Sequence, residues 1–157
     1  MKFQRSSFSA ENCSVKRTLD IVGEKWTLLV LREAFYGARR FEQFHAGISC
    51  ARNVLTDRLT TLVHHELLRR EPYREPGQRQ RLEYRLTEKG LGLLPALLAL
   101  MQWGDRWEAD AAGPPVTINH RDCGEPVEGV LRCRAGHTAL TARDTAAAAG
   151  PGALRVA

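Results

Sequence analysis

Gly47-Ile-Ser-Cys-Ala-Arg-Asn-Val-Leu-Thr-Asp-Arg-Leu-Thr-Thr-Leu-Val63 decides the fold, because its apolar and polar residues separate onto opposite sides of a helix. Leu55, Leu59 and Leu62 recur at helical spacing with Val63 at the edge of their stripe. Asn53, Thr56, Asp57 and Thr60 point roughly the other way. Gly47 and Ser49 signal a turn, and a serine oxygen can accept a free N–H of a first helical turn. The helix is therefore expected to begin near Cys50 with Ser49 as its N-cap. Such a helix buries one side and offers a polar outer face.

Three helices are expected before it. Val15, Leu19 and Val22 share one face of a first helix that Gly23 interrupts. Trp26, Leu28, Leu29, Val30, Leu31, Ala34 and Phe35 make the second apolar around most of its girth, so it must be central. Phe41 and Phe44, three residues apart, dock a short third helix. On the other side of the deciding stretch, the alternating runs Leu68–Tyr73 and Leu82–Leu86 flank the polar segment Arg74–Arg81, which contains Pro-Gly. This predicts a hairpin with a basic tip. Thr87 and Glu88 then open a last long helix through Leu91, Leu94, Leu97, Leu98, Met101 and Trp107. It is too apolar to face solvent unpartnered, and Pro95, one turn past its start, predicts a bend or an irregular turn.

The fold class is thus mainly α with a small β-hairpin (α+β). Helix, helix, short helix, polar-faced helix and basic hairpin follow each other in the order of a winged helix-turn-helix. The expected organisation is a DNA-binding and dimerisation domain over 1–110, a short Cys/His extension over 111–142 after Ala111-Ala-Gly-Pro-Pro115, and a disordered tail over 143–157. No uncharged apolar run approaches the length of a membrane span, and the N-terminus lacks the apolar stretch of a secretory signal, so a cytoplasmic address is expected. The net charge is +5, and the basic excess lies before residue 108, as suits a polyanionic partner.

A helix is narrow enough to enter the major groove, where base edges show an unambiguous donor and acceptor pattern, while a hairpin tip can reach phosphates or the minor groove. Arg52, Asn53 and Thr56 occupy the first turns of the fourth helix, where base readers sit, and Ser49 lies just before them. Arg74, Arg79 and Arg81 in the wing, with Lys25 and Arg40 from the body, are expected to bind phosphates. The blander alternative is that these polar residues are an ordinary solvated surface. An enzyme would need a nucleophile and a base held together, and only the 120–137 segment clusters Cys and His, so no enzyme activity is expected. A protein- or RNA-binding use of the same fold is the remaining rival.

The blocks Leu19-Asp-Ile-Val-Gly-Glu-Lys-Trp-Thr-Leu-Leu-Val-Leu-Arg-Glu33, Arg40-Phe41, Ala51-Arg-Asn-Val-Leu-Thr-Asp-Arg-Leu59, Tyr84-Arg-Leu-Thr-Glu-Lys-Gly90 and Met101-Gln-Trp-Gly-Asp-Arg-Trp107 resemble those of HxlR-type (MarR-like) regulators, in the same order. The resemblance covers roughly residues 12–107. It implies a homodimer through the first and last helices, binding of double-stranded DNA through the fourth helix and hairpin, and regulation of nearby genes, as a repressor. An apolar last helix needs a partner, and a two-fold dimer offers one. Two recognition helices so related would read a palindromic operator in successive major grooves about 34 Å apart.

Some regulators of this type respond to oxidants or electrophiles through a cysteine placed like Cys13, although this chain has Cys13-Ser14 where Cys-Pro is usual. A thiol near a helix N-terminus with Lys16 and Arg17 close by suits a redox sensor, and a small apolar plug is the plainer reading. Cys50 reads as packing. His120, Cys123, Cys133 and His137 resemble a zinc-ribbon-like extension, with Gly136 where its last cysteine would stand and His137 displaced by one position. Zinc would stabilise so small an extension. The alternative is a small hairpin through Val127 to Leu131 that packs without metal. Trp103 and Trp107 read as core, with a small-molecule pocket as the other option. His64 and His65 read as solvated or C-capping residues.

Overall fold

The helix foreseen from its leucine stripe is present as α4, Arg52–His64, in a computed structural model that describes residues 4–156. Leu55, Leu59 and Leu62 are fully buried, and Asn53, Thr56, Asp57 and Thr60 face solvent. The preceding helices are α1 (Ser14–Val22), α2 (Lys25–Phe35) and α3 (Phe41–Ile48). The strands β1 (Leu68–Tyr73) and β2 (Arg81–Leu86) follow, then α5 (Glu88–Leu91) and α6 (Leu94–Trp107). The winged helix-turn-helix order is as expected. The chain divides into two compact units, one over Cys13–Leu97 and one that joins the residues before Cys13 to those from Leu98 onward. The division between Leu97 and Leu98 lies inside α6.

In the first unit α2 is central, packing on both α3 and α4, and its Val30 and Leu31 meet Phe44, Leu55, Leu59 and Leu62 in the core. Glu24 starts α2 by accepting hydrogen bonds from the amides of Trp26, 2.8 Å, and Thr27, 3.3 Å, which would otherwise lack partners. Gln43 starts α3 by reaching back to accept from the Arg39 and Arg40 amides, both at 2.9 Å.

The turn between α3 and α4 corrects one expectation. Ser49 is not the N-cap of the fourth helix; it closes α3 in the left-handed region, φ 56°, with its amide donating to the His45 carbonyl. Ala51 occupies the N-cap position, without a side-chain bond, and α4 begins at Arg52 rather than near Cys50. Cys50 is buried against the core and so anchors the turn, which leaves helical geometry to start after it.

β1 and β2 pair antiparallel, from Leu68 opposite Leu86 to Tyr73 opposite Arg81. The Tyr84 amide also donates to the Arg39 carbonyl at 2.7 Å, tying the hairpin to the entry of α3. Leu82 lies exposed beyond the body, while Glu83 is buried and held by Arg85. Thr87 caps α5, and its own amide bonds to the Leu67 carbonyl at 3.1 Å. The last helix is broken at Gly92 and Leu93, so the one long helix expected from Thr87 is two. Pro95 is then the second residue of α6, inside a first turn whose amides need no helical acceptor, and its ring meets no continuous helix behind it.

In the second unit Gln102 of α6 grips the extension with both ends of its amide. Nε2 donates to the Val127 carbonyl at 3.0 Å and Oε1 accepts from the Gly129 amide at 2.9 Å. Short turns at 118–127 and 131–140 flank this contact, with Val127 donating to Ile118 at 2.7 Å and Leu140 to Leu131 at 3.2 Å. The tail, expected to be disordered, is described with hydrogen bonds to the N-terminal segment: Ser9 donates to Leu154 and Val156 to Ser7. Trp103 and Trp107, expected in the core, are exposed, as are Val15 and Leu19 on α1.

Candidate nucleic-acid interface

The side chains foreseen as DNA contacts all lie in the Cys13–Leu97 unit, and all are exposed. Asn53 and Thr56 stand on the polar side of α4, fixed by the buried leucines opposite. The Thr56 hydroxyl donates to the Arg52 carbonyl at 2.9 Å, so its oxygen remains an acceptor toward solvent. Ser49 caps the C-terminal end of α3 in left-handed conformation rather than the start of α4.

The arginines differ in what already holds them. Arg40 pairs with Glu75 of the hairpin tip at 2.6 Å and lies over the Tyr73 ring, 4.5 Å from its centroid, so it braces the wing against α3. Arg74 donates through Nε to the Gln78 carbonyl at 3.0 Å and shapes the tip, together with Gly77 in the left-handed region. The side chains of Arg79 and Arg81 make no hydrogen bond or ion pair among the described residues. They are the wing cations available to phosphate. Lys25, the first residue of α2, lies over the neighbouring Trp26 ring at 4.5 Å.

Arg52 has an unforeseen partner in Glu42 of α3, ten residues earlier, a spacing no local pattern signals. That hydrogen bond, foremost, and the adjacent guanidinium charge hold the Glu42 carboxyl below its ordinary range, while the same hydrogen bond, foremost, and the carboxylate charge hold Arg52 above its own. Arg58, also missed, sits half-buried on α4 with Glu24 3.8 Å away.

Cys13 precedes α1 directly, in extended conformation and half-buried. Lys16, expected to lend it a positive surrounding, is paired with Asp20 at 2.7 Å. The extension's Cys and His residues come together two by two. His120 Nδ1 lies 3.3 Å from Cys123 Sγ, and His137 Nδ1 lies 3.1 Å from Cys133 Sγ. Among the described residues no three His, Cys, Asp or Glu side chains gather to hold a metal ion. The four do not fit a tetrahedral zinc set in this arrangement, since zinc needs both pairs on one centre. Among the described residues, no helix is long and apolar enough to cross a membrane.

Residues 21–112 match the family model described as HxlR-like helix-turn-helix. An uncharacterized HTH-type transcriptional regulator of Mycobacterium tuberculosis is 44% identical over 142 residues, covering 90% of this chain and 89% of that protein. The crystal structure of PA1607, described as a candidate transcription factor, superposes with a TM-score of 0.76 at 37% identity, over 88% of this chain and 96% of the other. The oxidized form of the redox regulator HypR superposes with a TM-score of 0.56 at 31% identity, over 62% of this chain and 100% of the other. Taken with the leucine-backed polar helix and the basic hairpin, these likenesses mean that the chain belongs to the HxlR-like helix-turn-helix family of DNA-binding transcriptional regulators, not to an enzyme family.

Proposed function

We propose that the chain represses nearby genes by binding a palindromic operator as a homodimer, with α4 in the major groove and the hairpin on the phosphate backbone. The observation that carries this reading is the solvent-facing polar side of α4, rigidly backed by three fully buried leucines, beside a hairpin whose Arg79 and Arg81 are unengaged. Rigid backing is what a base reader needs, because a two-bond contact discriminates only when its donors are held in place. Arg52→Ala and Asn53→Ala should each relax base preference at one position, lowering discrimination by about 1–3 kcal/mol, in binding assays on duplexes selected from a random library. Unchanged preference in both variants overturns the placement of α4. Binding that an RNA competes away and duplex DNA does not would favour the RNA-binding rival. Deleting the gene should raise transcription of its neighbours if the protein represses.

A second element of the reading is a response to oxidant or electrophile at Cys13, supported by its place directly before α1 and by the likeness to HypR. Modification there adds bulk beside α1, whose exposed Val15 and Leu19 we assign to the dimer contact. Separating the two recognition helices forfeits the gain of binding two half-sites at once. Cys13→Ser should bind DNA normally and lose the response to diamide or quinone, while Cys123→Ser and Cys133→Ser keep it. Equal operator binding before and after treatment, with Cys13 unmodified by mass spectrometry, makes the cysteine a packing residue.

A further inference from the structure

We propose that Glu42 is a positioning residue for Arg52, turning a free cation at the start of the recognition helix into a pre-oriented base reader with little attraction for phosphate. The inference rests on the reading of α4 as the DNA-contacting helix. Arg52 Nη1 donates to Glu42 Oε2 at 3.0 Å and Nη2 donates to Oε1 at 2.5 Å, an end-on pair of parallel bonds. The guanidinium carbon also lies 4.7 Å from the Phe41 ring centroid, so the ring covers one face of the cation.

A guanidinium carries five N–H groups in one plane. The end-on pair uses one from each Nη and leaves the Nε–H and the adjacent Nη2–H side by side. That free edge has the geometry that guanine O6 and N7 accept. The partner carboxylate cancels the charge that would otherwise draw Arg52 to the nearest phosphate, and it repels phosphate itself. Holding the long side chain before binding also removes part of the ordering cost of the contact. With side chains 59% and 70% exposed, the pair contributes little to folding, which leaves recognition as its use and makes its variants safe to study.

The test compares wild type, Glu42→Ala, Glu42→Gln, Arg52→Ala and Asn53→Ala on two probes: a duplex that wild type selects from a random library, and a scrambled duplex of equal composition. Both are titrated across about 50–200 mM salt. Both Glu42 variants should melt like wild type. They should bind the scrambled duplex more tightly, with a salt slope steeper by about 0.9 as Arg52 turns to phosphate. Their discrimination should fall roughly ten-fold, at the base pair where Arg52→Ala relaxes preference. Tighter binding to the selected duplex with undiminished discrimination would make Glu42 a brake and overturn the proposal, as would variants that match wild type on both probes. If Arg52→Ala itself leaves discrimination unchanged while Asn53→Ala lowers it, Arg52 does not read bases and the proposal falls, although the placement of α4 stands. If neither lowers it, the placement of α4 fails as well.

Discussion

The cations of this protein are not equivalent, and their existing partners separate them. Arg40 and Arg74 are engaged by Glu75 and by the Gln78 carbonyl, so their first task is to shape the wing. Arg79 and Arg81 lack such partners and should each contribute about 0.9 to the slope of binding against salt. Replacing either with alanine should weaken selected and scrambled duplexes alike, read by fluorescence anisotropy at several salt concentrations, and an unchanged slope would remove the hairpin from the backbone. Acidity acts at the same scale. The hydrogen bond from Arg52 holds the Glu42 carboxyl below the usual carboxylate range, so any contribution of the pair is fully present above that range and is lost as pH falls through the lowered value. Discrimination that depends on the pair should therefore be flat between about pH 6 and 8. All of these arginines were legible as candidates, but their rank order depends on partners brought in by the fold.

Elements join through a few close approaches that composition does not reveal. Gly90 is one: a Cβ there would lie 2.2 Å from the Leu67 carbonyl oxygen, the same backbone group that accepts from the Thr87 amide. The closest atom belongs to the backbone and not to a flexible side-chain end, so α5 would have to shift away from the start of β1. Gly90→Ala should cost about 2–3 kcal/mol, measured by urea denaturation, and a loss below ~0.5 kcal/mol would show that α5 moves freely. Lys89 fastens the same corner by donating to the His65 carbonyl at 2.8 Å, satisfying a carbonyl at the end of α4. The leucine stripe predicted α4 because burial on one helix face requires that spacing. The residue that caps it was not predicted, because Ser49 serves the end of α3 instead, and a side chain near a helix start does not say which helix it terminates. The break at Gly92 and Leu93 was signalled by Pro95 as a bend or an irregular turn, placed a few residues late.

At the level of the whole molecule, α1 exposes Val15 and Leu19, while α6 exposes Leu100, Trp103 and Trp107. Large apolar side chains at helical spacing on both elements exceed what a scattered surface explains, and a second copy of the chain is the occupant we assign to them. The protein should be a dimer at micromolar concentration by light scattering, and Leu19→Glu with Trp103→Glu should shift it toward monomer without loss of helicity. A wild-type monomer in that range would withdraw both the dimer and the half-site spacing. Here the tertiary structure reversed one reading: the tryptophans taken for core are surface residues, since periodicity marks an apolar face without saying whether the same chain or another covers it.

The order of elements, the buried face of α4 and the hairpin were determined by the sequence alone, because helical and strand periodicities and turn chemistry are local properties, and the family followed from the resemblance of whole sequence blocks. The tertiary structure decided the pairing of Arg52 with Glu42, of Arg40 with Glu75 and of Gln102 with the extension, and it kept the two Cys/His pairs apart. Each depends on residues from different elements meeting in space. Only folding sets those distances, and no spacing along the chain encodes them.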